Sequence, residues 1–464
     1  MSTSDPAFHG KLPFMPMEKS IINATLREPY GEDAYIIVDR LMDAGFDTWW
    51  VGGAIRDMLQ GKVPKDIDIA TAAHPDQILR LFPRATTANA KLGSVRVRMH
   101  RRVYEITTFR TESPESSKRM PLEVSFGTRE EDAERRDFTI NALYFNPSTR
   151  ALYDPFHGEE DLKERLIRFI GDPVQRITQD PLRLLRAIRM RATLEAQYHP
   201  DTFAALHALS SIIRTVSKTR QLEELEKLLL CGNGARGLED MWELDILEHA
   251  MPVLHRCKGT PQPADFHHEG DVWDHTLQCV RAFQPDHLPD VRLATLFHDI
   301  GKVETFTLKE RIRFDHHATL SADLADALFE AMGMALKRRE KIHWLIEHHM
   351  TMTPLLEMNE ERKTHWYHHP WFMELLQVFW LDIAGTTPAD YTLYDRILAD
   401  YQSFLDSHPL PLKPLLTGND IQKLTGLKPG SRVGELLEML REEQEKGTIR
   451  SKKEAIAYIE SHAI

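Results

Sequence analysis

Two carboxylates one residue apart, Asp66 and Asp68, are the side chains of this sequence best placed to do chemistry. On an extended segment alternate side chains share a face, so Asp66-Ile67-Asp68-Ile69 projects both acids one way and both isoleucines into a core. Carboxylates side by side repel, and a hard divalent cation such as Mg2+, with oxygen ligands, relieves the repulsion. Upstream, Trp49-Trp50-Val51 runs into Gly52 and Gly53 and then into a helical pattern from Ala54 to Gln60. A strand, a glycine turn and a helix form a place where bare backbone N–H groups and the positive end of a helix dipole can meet a phosphate. A phosphate cradle next to a metal-holding pair points to nucleotidyl transfer.

Other polar groups fall where they could serve the same site. Lys91 to Arg98 and Val103 to Phe109 alternate as two strands of a hairpin that turns at His100 to Arg102. Glu105 shares its strand face with Val103 and Thr107, and beside Asp66 and Asp68 it would complete a three-carboxylate metal site. Arg135, Arg136 and Asp137 stand at the edge of the apolar run from Phe138 and can hold a ribose and its phosphates through charge-assisted hydrogen bonds. Further on, Asp180-Pro181 opens a helix in which Arg183, Arg186 and Arg189 recur at three-residue steps as one basic stripe. Asp180 and Arg183 together offer an acceptor and a donor fork, a pair able to read the Watson–Crick edge of a base.

A second constellation lies downstream of the proline-bearing stretch around Pro261 to Ala264. His275, His298-Asp299, His316-His317, His348-His349 and Asp382 fall on successive predicted helices, the spacing an internal metal site in a helical bundle requires. Imidazoles mixed with carboxylates suit Mn2+, Ni2+, Fe2+ or Mg2+ better than structural zinc, and either His348 or His349 can complete the set.

The elements that must position these groups alternate strand and helix up to about residue 150 and read as helices thereafter. An amphipathic helix from Asp33 to Gly45 precedes the Trp49 strand, another follows His74, and residues 1 to about 30 read as an irregular, proline-bearing arm. A polar loop from Thr111 to Met120 could carry an active-site flap, and the tail has a GLKPG turn and a Ser451/Glu454 capping box. With 464 residues, two to four domains have room for real cores. The formal net charge of −12 rules out a generally basic nucleic-acid coat, so any RNA contact needs a local basic surface. Three cysteines, Cys231, Cys257 and Cys279, without a CxxC pair support neither a disulfide framework nor a cysteine zinc site and fit a reducing cytoplasm. No apolar run of membrane-spanning length and no signal-peptide layout is present.

Taken in order, the GG-x-x-RD stretch containing Arg56 and Asp57, the Asp66-x-Asp68 pair, GSVRV, EITTFRTE, RRDFTINAL and DPFHG-x-x-DL-x-x-R resemble the bacterial tRNA nucleotidyltransferases and their poly(A) polymerase relatives, members of the polymerase β superfamily. The resemblance implies an α+β chain. Its polymerase β-type head has a mixed sheet with helices (31–172, after the arm 1–30) and is followed by an all-α neck (173–260), an HD metal phosphohydrolase domain (261–405) and a helical tail (406–464). It implies Mg2+ on Asp66 and Asp68, nucleotide contacts from Gly52, Gly53, Arg56 and Asp57, ribose recognition by Arg135, Arg136 and Asp137, and base selection by Asp180 and Arg183 with Arg186 and Arg189 alongside. Gln179 stands where the family has Glu, which replaces an ion pair to the arginine by a neutral hydrogen bond, and His157 stands where Gly is common. The histidine region resembles HD phosphohydrolases, with His275, His298, Asp299, His317, His348 or His349, and Asp382 as ligands of Mn2+, Ni2+ or Mg2+ and Lys302 steadying a phosphate. The implied activity is template-independent addition of CCA to tRNA from CTP and ATP, with a metal phosphohydrolase activity besides. The neck would hold the acceptor stem, and neither a membrane nor an obligate protein partner is expected. A poly(A) polymerase, a CC- or A-adding enzyme, and an HD phosphohydrolase with a nucleotide- or RNA-binding head are the alternatives.

Overall fold

A computed structural model describes residues 19–89, 93–111, 125–263, 268–407, 414–445, 448–449 and 451–462. The expected flap, apart from Thr111, and the start of the hairpin at Lys91 and Leu92 lie outside the described residues. A seven-stranded mixed sheet organises the first part of the chain. Its strands are β1 (Thr48–Val51), β2 (Asp68–Thr71), β3 (Thr86–Asn89), β4 (Ser94–Met99), β5 (Arg102–Thr108), β8 (Tyr144–Asn146) and β9 (Ala151–Tyr153), and a separate short ladder joins β6 (Arg110–Thr111) to β7 (Ser125–Phe126). The order across the main sheet is β3-β4-β5-β2-β1-β8-β9.

Register places the acids. β1 and β2 run antiparallel with Val51 opposite Asp68, so Asp68 lies beside the glycine turn. β2 and β5 run parallel with Ile69 opposite Ile106, which brings Glu105, one step back, alongside Asp68. The alternation of β5 follows: Tyr104 and Ile106 are buried, whereas Val103 and Glu105 are exposed. Strand β2 begins at Asp68, not at Asp66. Past Val51 the chain leaves the sheet at Gly52 and no β1 residue remains for Ile67 or Asp66 to pair with. Gly52 sits at φ 72, a left-handed conformation that admits glycine readily, and it caps the helix Gly53–Leu59.

Two helices, Lys19–Arg27 and Pro29–Asp43, precede the sheet. The expected irregular arm is therefore helical from Lys19, where Ile22 and Thr25 recur at helical spacing and are buried. His157 occupies a left-handed position, φ 57, just before Gly158. That explains why glycine suits the place; here histidine adopts the conformation. Helices Pro173–Gln179 and Arg183–Leu194 start the neck, and Lys218–Leu230 and Gly234–Glu243 pack against the latter. A buried Arg191–Asp240 ion pair at 2.6 Å, joined by the Tyr198 hydroxyl at 2.8 Å, holds this packing.

The chain divides into two compact units, residues 1–350 with 377–389, and 351–376 with 390–464. The second unit thus takes in residues expected to belong to the histidine domain. Its helix Thr392–Ser407 turns Tyr401 and Phe404 onto Tyr367, and Tyr401 onto Phe372 as well. A separate core of Ile421, Leu436, Leu440 and Ile459 closes the tail. The Ser451/Glu454 capping box forms, with reciprocal bonds of 3.0 and 3.3 Å. Among the described residues no helix is long and apolar enough to cross a membrane.

Gly158 lies where a Cβ would come within 2.2 Å of the Thr139 carbonyl oxygen, so the helix Gly158–Lys163 packs directly on the 3-10 turn Thr139–Asn141. Gly158→Ala is expected to cost roughly 1–3 kcal/mol by forcing that backbone apart. Denaturant unfolding of the full chain followed by circular dichroism measures it, and an unchanged midpoint would refute the contact.

Candidate functional site

A cleft of about 580 Å³ opens where the sheet meets the neck, and Gly52, Gly53, Asp68 and Glu105 line its head side. Asp66 and Asp57 do not line it. Asp66 still acts on Asp68: the protein walls around Asp68, with repulsion from Asp66 and Glu105, raise its proton affinity above the ordinary carboxylate range. Three acids with only oxygen donors and mutual repulsion fit a hard ion such as Mg2+. Asp57, half-buried, is likewise raised, first by burial.

Opposite the acids the cleft is walled by arginines, and their partners decide what each can do. Asp132, 1% exposed, accepts Arg135 Nε at 2.8 Å, Arg136 Nη2 at 3.1 Å and the Tyr144 hydroxyl at 2.8 Å. Burial alone would raise the Asp132 carboxyl, but Arg136 and Arg135 outweigh it and hold it below its usual range. Asp137 is tied up as well: it accepts Arg186 Nε and Nη2 at 2.8 and 2.6 Å and Asn141 Nδ2 at 2.6 Å. Asn141 Oδ1 in turn accepts Arg56, whose deep burial lowers its proton affinity. Arg110, lining the same cleft, donates to Ser94 Oγ at 3.1 Å, and burial brings its guanidinium down to about 10. Arg56, Arg135, Arg136 and Arg110 therefore form a fixed cationic wall, oriented before any anion arrives.

From the neck, Asp180 and Arg183 both line the cleft. Arg183 is buried and donates to the Arg176 carbonyl at 2.7 Å and to Gln179 Oε1 at 3.3 Å, so the neutral Gln179 does hold the guanidinium, with backbone help. Asp180 accepts Arg220 at 3.2 Å near the surface. Arg183, Arg186 and Arg189 all face the cleft from one helix, as expected, but the three charges are not equally available. Arg186 is spent on Asp137 and Arg189 on Glu224, at 2.7 Å, so each arginine answers a different acid brought in from elsewhere in the chain. Asn141 and Arg110 fall inside the RRDFTINAL and EITTFRTE stretches without a role being assigned to them there, and Asp132, Tyr144 and Glu224 carry no sequence signal beyond their polarity; the fold supplies the partners of all five.

The histidine centre is separate and enclosed. His298 Nδ1 donates to the Thr295 carbonyl at 2.7 Å, His317 Nδ1 to the Phe314 carbonyl at 2.9 Å, and His349 Nδ1 to the Ile346 carbonyl at 2.7 Å. A carbonyl only accepts, so each Nδ1 carries its ring's proton and each Nε2 lone pair points inward, the tautomer a metal needs. His275 Nδ1 lies 3.2 Å from Glu269 Oε1, and its Nε2 lies 3.0 Å from Asp382 Oδ1. Asp299 Oδ1 is 3.4 Å from His317 Nε2 and 4.0 Å from His349 Nε2. Both Asp299 oxygens and His317 Nε2 are buried without a hydrogen bond of good geometry, although Lys302 Nζ lies 2.6 Å from Oδ2. Burial, reinforced by His298, pushes His349 down to about 4 and so keeps it neutral. This donor set fits a divalent ion. His349 belongs to it, whereas His348, one residue earlier at the helix end, turns away toward Trp344, 5.0 Å between rings. Lys302 is held by Asp299 and by Gln262 Oε1 at 2.8 Å and so is committed to the acid.

Residues 48–168 match the poly(A) polymerase head domain, 197–258 the probable RNA and SrmB-binding site of polymerase A, and 271–400 the HD domain. The chain is 38% identical over 232 residues to the CCA-adding enzyme of Pediococcus pentosaceus, covering 50% of this chain and 58% of that protein. It is 35% identical over 245 residues to poly(A) polymerase I of Salmonella typhi, covering 50% and 53%. This chain thus spans a little over half the length of those relatives. Its fold is similar to the crystal structure of the Bacillus stearothermophilus CCA-adding enzyme in complex with CTP, with TM-score 0.60 and 25% identity, covering 94% of this chain and 98% of that one. The Thermotoga maritima CCA-adding enzyme complexed with tRNA shares the fold at TM-score 0.53 and 19% identity.

Asp132→Asn leaves two partly buried arginines facing a neutral amide and is expected to destabilise the chain by up to about 3 kcal/mol, the lower end of the cost of stranding a buried charge. The sign of its pH dependence follows from a folded-state pKa held below the unfolded one. The Asp132 contribution is present above the unfolded carboxylate pKa and is lost as pH falls through the lower folded value. Wild type and variant should converge in stability as pH is lowered through that window. Parallel melting curves at every pH would contradict this role.

Proposed function

We propose, from a chain whose successive segments match a poly(A) polymerase head domain, an RNA-binding segment and an HD domain, that it completes the CCA end of tRNA, without a template, from CTP and ATP. The observation that carries the reading is that Asp68 and Glu105 line the same cleft as Asp180 and Arg183. Mg2+ held by Asp66, Asp68 and Glu105 would supply charge stabilisation for the attacking 3′-hydroxyl and the departing pyrophosphate. The chain's own residues do the rest. Arg56, Arg110, Arg135 and Arg136 receive the triphosphate and ribose, and the Asp180 carboxylate and Arg183 fork select the base, with Gln179 and the Arg176 carbonyl fixing the fork. Likeness along nearly the whole chain to an enzyme solved with CTP supports this. The 35% identity to a poly(A) polymerase I supports a second reading, adenosine addition alone.

The buried His275, His298, Asp299, His317 and His349, with the partly exposed Asp382, would hold one or two divalent ions, Mn2+ or Ni2+ before Mg2+, and such an ion supplies Lewis-acid activation of water and phosphate. The proposed second activity is hydrolysis of phosphate at RNA 3′ ends. A tRNA substrate and three cysteines outside any disulfide fit a cytoplasmic enzyme.

Incubation with tRNA lacking CCA and each labelled nucleotide tests the first activity. Two cytidines and one adenosine are expected, and Asp68→Ala should lower incorporation by roughly 10²–10³-fold or more. Adenosine tails on any RNA would replace this reading with the second. For the HD centre, Mn2+ or Ni2+ should support turnover of 2′,3′-cyclic nucleotides and His349→Ala should abolish it, whereas His348→Ala should retain it. Absence of turnover with every ion would sink the hydrolase.

A further inference from the structure

Within the histidine centre sits a side chain that the metal reading leaves unused. Cys279 follows His275 by one helical turn on the helix Val272–Arg281, so both side chains point the same way. Its Sγ is 3.5 Å from His275 Nε2, which is 3.4 Å from His298 Nε2, and the three donor atoms lie within 4.8 Å of one another. All three residues are buried. The opposite helix comes so close that a Cβ on Gly385 would fall 2.2 Å from Sγ, and this glycine lets the thiol fill the space beside His275. A second group, His298, Asp299 and His349, meets the same distance test and shares His298. Asp299 Oδ1 and His317 Nε2, buried without a hydrogen bond, mark that neighbouring ground as suited to an ion.

Resting on the reading of this centre as a metal site, we propose that His275 Nε2, Cys279 Sγ and His298 Nε2 form a soft position in it, which takes a thiophilic divalent ion of the zinc class. The hard group around Asp299 takes ions such as Mn2+ or Mg2+. Ligand softness separates them: a thiolate with two imidazoles selects zinc, and carboxylate with imidazole accepts harder ions. On binding, the thiol proton passes to solvent and the sulfur lone pair forms the bond to the ion. Because His298 belongs to both groups, zinc at the soft position withdraws a ligand from the hard one. Zinc is therefore an inhibitor of the hydrolytic centre rather than its working metal.

The test uses the full chain, stripped by chelator and titrated with Co2+ as a spectroscopic stand-in for zinc. Wild type should develop visible ligand-field bands together with near-ultraviolet thiolate-to-cobalt charge transfer. Cys279→Ser should keep the visible bands and lose the charge transfer, while Cys231→Ser and Cys257→Ser retain both. Zinc affinity should fall in Cys279→Ser by at least the roughly 10–100-fold that loss of an outer partner costs, with Mn2+ affinity unchanged. X-ray absorption on the zinc-loaded wild type, which needs no variant, should find one sulfur scatterer. Visible bands without charge transfer, or zinc bound without sulfur, would overturn the soft position and leave the metal centre standing. No bands and no bound metal at all would overturn the metal reading with it.

Discussion

The contact in which two N–H groups of Arg186 converge on Asp137 Oδ2 is the constraint on which the cleft depends. Asp137 ends the polar edge that leads into the sheet, Arg186 lies one turn along the first long neck helix, and their bonds of 2.6 and 2.8 Å fix one against the other. Everything chemical is hung from this join. Asn141 carries it from Asp137 to Arg56, the Asn141 carbonyl accepts Arg136 at 3.1 Å, and Arg176 reaches back to the carbonyls of Arg135 and Arg136. Carboxylates on strands and arginines on helices can work on one substrate only if the sheet and the neck keep a fixed spacing. In a partly desolvated cleft such prepaid orientation is worth more than the charges themselves.

The two candidate sites follow opposite physical strategies. In the cleft, cations outnumber anions along the wall and the space is open, as suits a large polyanion that must enter, react and leave. Its arginines are restrained by internal acids, so the wall stays in place when empty. The histidine centre is closed. Backbone carbonyls three residues back fix the His298, His317 and His349 rings, Glu269 and Asp382 flank His275, and burial keeps imidazoles such as His349 neutral, so the centre is prepared for a small cation. Its one soft atom, the Cys279 sulfur, is where this chain's centre acquires a preference that histidine and aspartate alone would not give.

Much of this was legible in the residues because the strong signals are local. The glycine turn, the alternation of β5, the helix after His74 and the capping box of the tail are all set by neighbours within a few positions. Asp68 and Glu105 could be paired in advance because strand periodicity fixes their faces. The failures share one cause, partners distant in sequence. Arg183, Arg186 and Arg189 look like a basic stripe on a helical wheel. Nothing local reveals that Asp137 and Glu224 take up two of them, at separations of 49 and 35 residues. Strand β2 was read one pair too long because its length is set by where β1 ends. The choice between His348 and His349 turned on the last residue of a helix, where pattern reading is weakest. Cys279 showed no signal, since a single buried cysteine in a sequence looks like any small apolar residue.

The central claim is that protein side chains from the neck, fixed by the head, choose the nucleotide that the carboxylates then join. Single-nucleotide incorporation of CTP and ATP by Arg183→Ala, on tRNA ending before CCA and on tRNA ending in CC, tests it most directly. The preference for cytidine on the first substrate and for adenosine on the second should collapse toward equality while Mg2+ dependence persists. Selectivity retained at the wild-type ratio would contradict it and would place base choice elsewhere in the cleft.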